Sequence, residues 1–290
     1  MALVQYLRRS TMTTLRSTIP SVVLNAVRRP LGRSIFDFSA YSKRLRGKTA
    51  LEIGGPTPYF DDHGILPVYA LLATVDNCQF APQTIWTGDV AKNFQYHRGR
   101  PAGNQFICDA TQLNIPKQYE CLLSSHCLEH IANPIRALLE WKRILADDGF
   151  LLMLLPHKEA TFDWRRPVTP LQHLIEDFEN CTTENDTTHF DEILKLHDLS
   201  KTPEYTARTF RERCLANGRH RAMHQHVFIT ESALALVDHV GFAILEVDAV
   251  RPAHIVILAQ KAAGENRGMF APDASWRKRS VFTSDKFTHN

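Results

Sequence analysis

The 290-residue chain is most easily bounded by what it lacks. It has no stretch near the roughly 20 apolar residues that a membrane-spanning helix requires. Its six cysteines (Cys78, Cys108, Cys121, Cys127, Cys181 and Cys214) form no C-x-x-C pair and no regular spacing. A disulfide framework or thiolate metal site is therefore not indicated, and a reducing, cytoplasmic setting fits the cysteine usage. A formal charge of +3 is too small to argue for nucleic acid as a partner. Low-complexity tracts are absent, and 44% hydrophobic with 22% charged residues is ordinary for a globular chain. No G-x-G-x-x-G follows the first strand, which speaks against a dinucleotide.

The first 34 residues also lack acids, while carrying Arg8, Arg9, Arg16, Arg28, Arg29 and Arg33 among Leu, Val, Ile, Ser and Thr. Residues 1–36 read as a basic leader, with peripheral membrane contact and an organelle transit peptide both left open.

From Lys48 onward, short apolar runs alternate with helical patterns. Thr49–Ile53 stops at Gly54-Gly55-Pro56, Ala70–Val75 runs into Asp76, and Gln105–Cys108 ends at Asp109. Tyr119–Ser125 is another buried run, and Phe150–Leu155 is apolar throughout. Between the last two, Asn133 is a good N-cap, Pro134 suits the first helical position, and Ile135, Leu138, Leu139 and Leu145 recur at helical spacing. The spacing predicts a further helix from Thr230 to Val240 and strands over 242–250 and 254–260. The pattern predicts an α/β fold: a Rossmann-like, doubly wound, mostly parallel sheet whose ligand lies beyond the carboxyl ends of the strands. The sheet domain would span residues 37–262. A His-rich insertion at 157–227 follows the fifth strand, and a polar C-terminal tail occupies 263–290.

Leu51-Glu-Ile-Gly-Gly-Pro56, Val75-Asp76, Asp109-Ala110, Ser124-Ser-His-Cys-Leu-Glu-His130 and Trp141-Lys-Arg-Ile-Leu-Ala-Asp-Asp-Gly149 occur in that order. The series resembles the type 11 group of class I S-adenosylmethionine-dependent methyltransferases over residues 48–157. The resemblance implies S-adenosylmethionine as cofactor. Gly54 and Gly55 would admit its amino-acid end, Glu52 would orient the loop or the ligand's ammonium group, and Asp76 would accept the ribose diol. Asp109 and Ala110 would lie at the adenine, with Ser125 at the end of the fourth strand. The chain departs from the usual loop, whose three glycines are spaced by single residues, because Pro56 follows Gly55.

Methyl transfer from a sulfonium is an in-line displacement, and a hydroxyl or protonated amine acceptor also needs a base, for which His is the commonest choice. His126 and His157, each just past a strand, are the catalytic candidates. Glu129 and His130 read as structural. The insertion holds seven of the 14 histidines and twelve acids, the residue types of a metal site, with His189, His224 and His226 as candidate ligands. His224-x-His226 would point one way on a strand. A divalent metal is possible but not expected, and a polar substrate lid accounts for the same composition. The run from His157 to His173 also resembles methyltransferases of bacterial polysaccharide and glycoside biosynthesis. This implies a small-molecule or glycan-type acceptor, methylated at oxygen. The competing readings are a metal-dependent enzyme using the insertion and a non-catalytic methyltransferase-like binding module.

Overall fold

The computed structural model describes residue 32 and residues 34–287. The leader arginines lie outside the described residues, and with them the membrane-contact and transit-peptide readings. Among the described residues, no helix is long and apolar enough to cross a membrane.

Helix α1 (Phe38–Leu45) starts where Asp37 accepts from the Ser39 amide at 2.9 Å. Strands β1 (Thr49–Ile53) and β2 (Thr74–Gln79) follow, then the short β3 (Gln83–Thr84), β4 (Gly88–Asp89) and β5 (Asn93–Phe94). Strands β6 (Gly103–Ile107) and β7 (Tyr119–Ser125) lead to helix α2 (Pro134–Ile144) and strand β8 (Leu145–Pro156). The insertion contributes α3 (Leu171–Glu179), α4 (Phe190–Leu196), α5 (Ala207–Leu215) and α6 (Asn217–His220). Helix α7 (Thr230–His239), strands β9 (Ala243–Val250) and β10 (His254–Gln260) and helix α8 (Ser275–Arg279) complete the chain.

The main sheet has the order β5-β6-β2-β1-β7-β8-β10-β9. Strands β6, β2, β1, β7 and β8 pair in parallel, while β10 runs antiparallel to both β8 and β9. After β1 the chain builds outward through β2 and β6, then returns to place β7 on the other side of β1. The reversal opens a crevice beyond the carboxyl ends of β1 and β7, the usual ligand position in such sheets.

Period-two alternation explains why β8 is apolar from Phe150 to Leu155. Leu151, Met153 and Leu155 join the core beneath α2 and α7, while Leu152 and Leu154 join the core on the opposite face with Tyr41 and Leu45. In α2, Asn133 caps by accepting from the Arg136 amide at 3.0 Å, and Ile135, Leu138 and Trp141 are buried. Leu139 instead faces solvent. Burying a side chain as large as Trp141 contributes roughly 2–3 kcal/mol. Its indole Nε1 donates to the Ala110 carbonyl at 2.9 Å, so α2 also fixes the loop after β6. The insertion packs a small core of its own from Ile193, Phe210, Cys214 and Met223.

The C-terminal segment differs from the loose polar tail read from its composition. Trp276, Arg277 and Asp285 are buried. Arg277 pairs with Glu231 at 3.0 Å, and Asp285 accepts from the Thr230 and Ser280 hydroxyls at 2.6 Å each. Charges that look like a solvated tail in sequence are paired against the start of α7.

Candidate active site

The site begins with the turn after β1. Gly54 has φ +80°, a left-handed conformation that favours glycine. A Cβ on Gly55 would come within 2.2 Å of the Glu52 carboxylate, so a side chain there would have to displace it. Asn77 holds Gly55 from both sides, accepting from its amide at 3.0 Å and donating to its carbonyl at 3.2 Å. Gln79 Nε2 donates to the same carbonyl at 2.9 Å. The Gly55–Pro56 peptide is cis.

Glu52 lies behind this turn, fully buried. Tyr69 Oη is within 2.7 and 2.9 Å of its two oxygens and accepts from the Thr57 amide at 2.8 Å. Burial pushes the Glu52 carboxyl up to about 8, with the Tyr69 hydroxyl only partly offsetting it. Its geometry supports the loop-orienting role; the carboxylate is sealed from a ligand's ammonium group.

Asp76 requires a correction. Strand β2 does not end there but runs on to Gln79, leaving Asp76 in mid-strand, in register with Leu51. Its carboxylate accepts from the Asn104 amide at 2.8 Å, Tyr119 Oη at 2.7 Å and Lys117 Nζ at 3.0 Å. Those donors, together with burial, leave no geometry for a ribose diol. The residue at the carboxyl end of β2 is Gln79, followed by Phe80.

Asp109 stands past the end of β6, as expected. It accepts from the Thr111 amide at 2.7 Å and from Arg221 of the insertion at 2.5 Å. Burial raises its carboxyl, but the Thr111 and Arg221 contacts more than offset this and hold it below its ordinary value. Arg221 also lies 4.8 Å over the Phe80 ring. Ala110 is buried beside Asp109, and Ser125 Oγ is 3.3 Å from Thr57 Oγ1, linking the two sides of the crevice. The structure thus brings Gly54, Gly55, Asp109, Ala110 and Ser125 to one sheet edge and leaves Asp76 outside it.

Beyond β7, His126, the catalytic candidate, takes the left-handed φ of +50° and opens a cluster in which sequence reading takes Glu129 and His130 as structural. At its centre is Glu129, fully buried, with neither carboxylate oxygen in a hydrogen bond. Its Oε1 lies 3.6 Å from His126 Nδ1, 3.8 Å from His130 Nε2 and 4.0 Å from His224 Nε2. Burial alone would raise this carboxyl; His126 and His130 more than offset it and hold it below its ordinary value. His126 Nε2 is 2.9 Å from His254 Nδ1, and Tyr59 packs on both rings. Burial, with His126 adding to it, drives His254 well below its ordinary pKa and keeps it neutral. Burial likewise lowers His130 to about 4. Gly54 meets the same cluster through Cys127, whose Sγ lies 3.6 Å from where a Gly54 Cβ would stand. A polar residue mix after a strand was the available signal for Glu129. Nothing in the local sequence pointed to Tyr59 or His254, which come from distant segments.

His157 is a second correction. It follows β8 but is fully buried, stacked on Phe282 with ring centroids 3.8 Å apart. Its Nε2 lies 3.3 Å from Asp285 Oδ1, and its Nδ1 accepts from the Glu159 amide at 3.3 Å. Both nitrogens are used within the packing of the C-terminal segment.

The metal candidates do not form one group. His224 and His226 lie in an irregular stretch rather than a strand, so their side chains diverge. His224 joins Glu129 and His130, while His226 joins His189 with His173 and Asp177. His224 Nδ1 is 2.5 Å from Asp163 Oδ2, and Asp163 also accepts from the buried Arg166 at 3.2 Å.

Residues 70–153, from the turn before β2 to the middle of β8, match the family model of the methyltransferase domain. This match marks residues 70–153 as a methyltransferase domain, carried on a sheet whose strand order is that expected of the class I type. Solved structures with a similar fold include an S-adenosylmethionine-dependent methyltransferase of Aquifex aeolicus (11% identity, 84% of this chain and 100% of that one, TM-score 0.41). Another is an S-adenosylmethionine-dependent methyltransferase of Mesorhizobium loti (14% identity, 77% and 95%, TM-score 0.43). A third is the N-methyltransferase NodS of Bradyrhizobium japonicum WM9 in complex with S-adenosyl-L-homocysteine (10% identity, 88% and 96%, TM-score 0.41). No curated protein matches the chain by sequence.

Proposed function

We propose that the chain methylates a small-molecule or glycan-type acceptor at oxygen, with His126 as the base and Glu129 as its charge partner. The observation that carries this reading is the unbonded, buried Glu129 carboxylate facing His126 at the carboxyl edge of β7. S-adenosylmethionine supplies the electrophilic methyl group. The Gly54-Gly55 turn fits its amino-acid end because no Cβ intrudes there, and Asp109 with Ala110 fits the adenine end.

With His254 as its neutral Nε2–H tautomer, its Nδ1 accepts from His126 Nε2–H, and in that arrangement the His126 lone pair is on Nδ1. The 3.6 Å between Nδ1 and Glu129 Oε1 is too long for a hydrogen bond, so the Nδ1 lone pair stays free for an acceptor's hydroxyl. With the cofactor supplying its methyl group, the S–CH3 bond breaking and S-adenosylhomocysteine leaving, that hydroxyl would give its proton to Nδ1 and the Glu129 carboxylate would stabilise the imidazolium. The resemblance of residues 157–173 to enzymes of polysaccharide biosynthesis supports the glycan-type acceptor.

The test is transfer of isotopically labelled methyl from S-adenosylmethionine to a panel of hydroxylated, amine and thiol acceptors, read by mass spectrometry. An O-methyl product formed by wild type and lost in His126→Ala is expected. Label found only on nitrogen or sulfur would overturn the oxygen assignment.

A further inference from the structure

The insertion brings together side chains that methyl transfer does not use. His173 and Asp177 occupy one face of α3 at i and i+4. His189 precedes α4 directly, and His226 lies in the stretch leading into α7. His173 Nε2 is 3.0 Å from His189 Nε2 and 3.4 Å from Asp177 Oδ2. One ligand atom from each of the four residues lies within 4.8 Å of all the others.

These spacings are those of a coordination shell. Tetrahedral bonds of about 2.0–2.1 Å place neighbouring ligand atoms roughly 3.3 Å apart. Hydrogen bonding within the group does not account for it. One proton can bridge His173 and His189, yet Asp177 Oδ2 and His226 Nδ1 are buried with no hydrogen-bond partner. Leaving such atoms unsatisfied costs about 1–3 kcal/mol each, and native interiors seldom tolerate it. His226 Nε2–H donates to the Ala132 carbonyl at 3.2 Å, the kind of backbone contact that fixes a ligand histidine's orientation, and this leaves Nδ1 as its ligand atom.

We propose that His173, Asp177, His189 and His226 bind one Zn2+ ion that ties α3 and the start of α4 to the segment by which the insertion returns to α7. Three imidazoles and one carboxylate form a donor set of the borderline kind that Zn2+ accepts, and four protein ligands make a closed, structural site. The ion joins α3, the start of α4 and the approach to α7. Its effect reaches the cluster around Glu129 through the backbone. The amides of Gln225 and His226 donate to the Glu129 carbonyl at 2.8 and 3.3 Å, so the segment held by the ion also carries His224 toward the Glu129 carboxylate. The ligands are therefore positioning residues for the neighbouring site and do not touch the reacting atoms.

The test uses the full chain without any methyl donor, so it stands apart from the methyl-transfer reading. Protein stripped with a chelator is reloaded with Zn2+ alone, desalted and measured by mass spectrometry of the metal, with affinity taken from competition with a chromophoric chelator. One equivalent is expected for wild type. Asp177→Asn and the half-buried His189→Gln should each lower affinity on the order of 100-fold or more, while circular dichroism confirms that they fold. His224→Gln should retain one equivalent. Co2+ in place of Zn2+ should give the strong visible absorption of a tetrahedral site in wild type. Absence of a bound equivalent in wild type would overturn the proposal. So would retention in His189→Gln with loss in His224→Gln, which would move the ion to the Glu129 cluster.

Discussion

The guanidinium of Arg221, in the insertion, lies 2.5 Å from the Asp109 carboxylate at the carboxyl end of β6. The same side chain covers Phe80, past the end of β2. A single residue thus joins the insertion to two of the strand ends that border the crevice. Arg221→Ala should weaken S-adenosylhomocysteine binding by about 1 kcal/mol, roughly fivefold, the scale of a partly exposed charge-assisted contact. Calorimetry checks this, and unchanged affinity would remove Arg221 from the closure of the site.

Asp76 should behave as a structural residue. In Asp76→Ala the Tyr119 hydroxyl, Lys117 and the Asn104 amide lose their acceptor. A stability loss of about 1–3 kcal/mol in urea unfolding is expected.

The two histidines that follow strands should separate by phenotype. His126→Ala should lower kcat by about 10²–10⁴-fold, the range for a general base, with little change in cofactor affinity. His157→Ala should lower the melting temperature through loss of the Phe282 stack and the Asp285 contact. Turnover per folded molecule should stay near wild type. A His157 variant that is stable yet inactive would reverse the two assignments.

Glu52 gives a pH signature. Its carboxyl is raised from 4.5 to about 8 in the folded chain. Between those values the unfolded chain is ionised while the folded chain keeps its proton, so this contribution to stability is full below pH 4.5 and is lost as pH rises toward 8. Glu52→Gln removes that dependence. Its stability relative to wild type should therefore grow across this window, by about 1.4 kcal/mol per pH unit at most, and level off above it. Urea unfolding at several pH values checks the slope, and a flat difference would contradict the buried, protonated Glu52.

The parts legible in sequence were those set by local pattern. Tyr119–Ser125 is a strand at its expected bounds, and Asn133-Pro134 starts a helix as its capping chemistry dictates. Asp76 misled because an acid after an apolar run looks like a strand end; partners 28 and 43 residues away allow β2 to carry it in mid-strand. His224 and His226 misled because alternation was assumed where the backbone is irregular. The buried pairing of Asp285 with His157 and Thr230, and the meeting of His126 with His254, depend on tertiary packing that no local window contains.

The most direct test of the cofactor's place is calorimetric titration of S-adenosylhomocysteine into wild type, Asp109→Ala and Asp76→Asn in parallel. The geometry predicts binding by wild type, a loss of tenfold or more in Asp109→Ala, on the scale of about 1.5–3 kcal/mol for hydrogen bonds to a charged group, and near-wild-type affinity in Asp76→Asn. Full affinity in Asp109→Ala with loss confined to Asp76→Asn would contradict it.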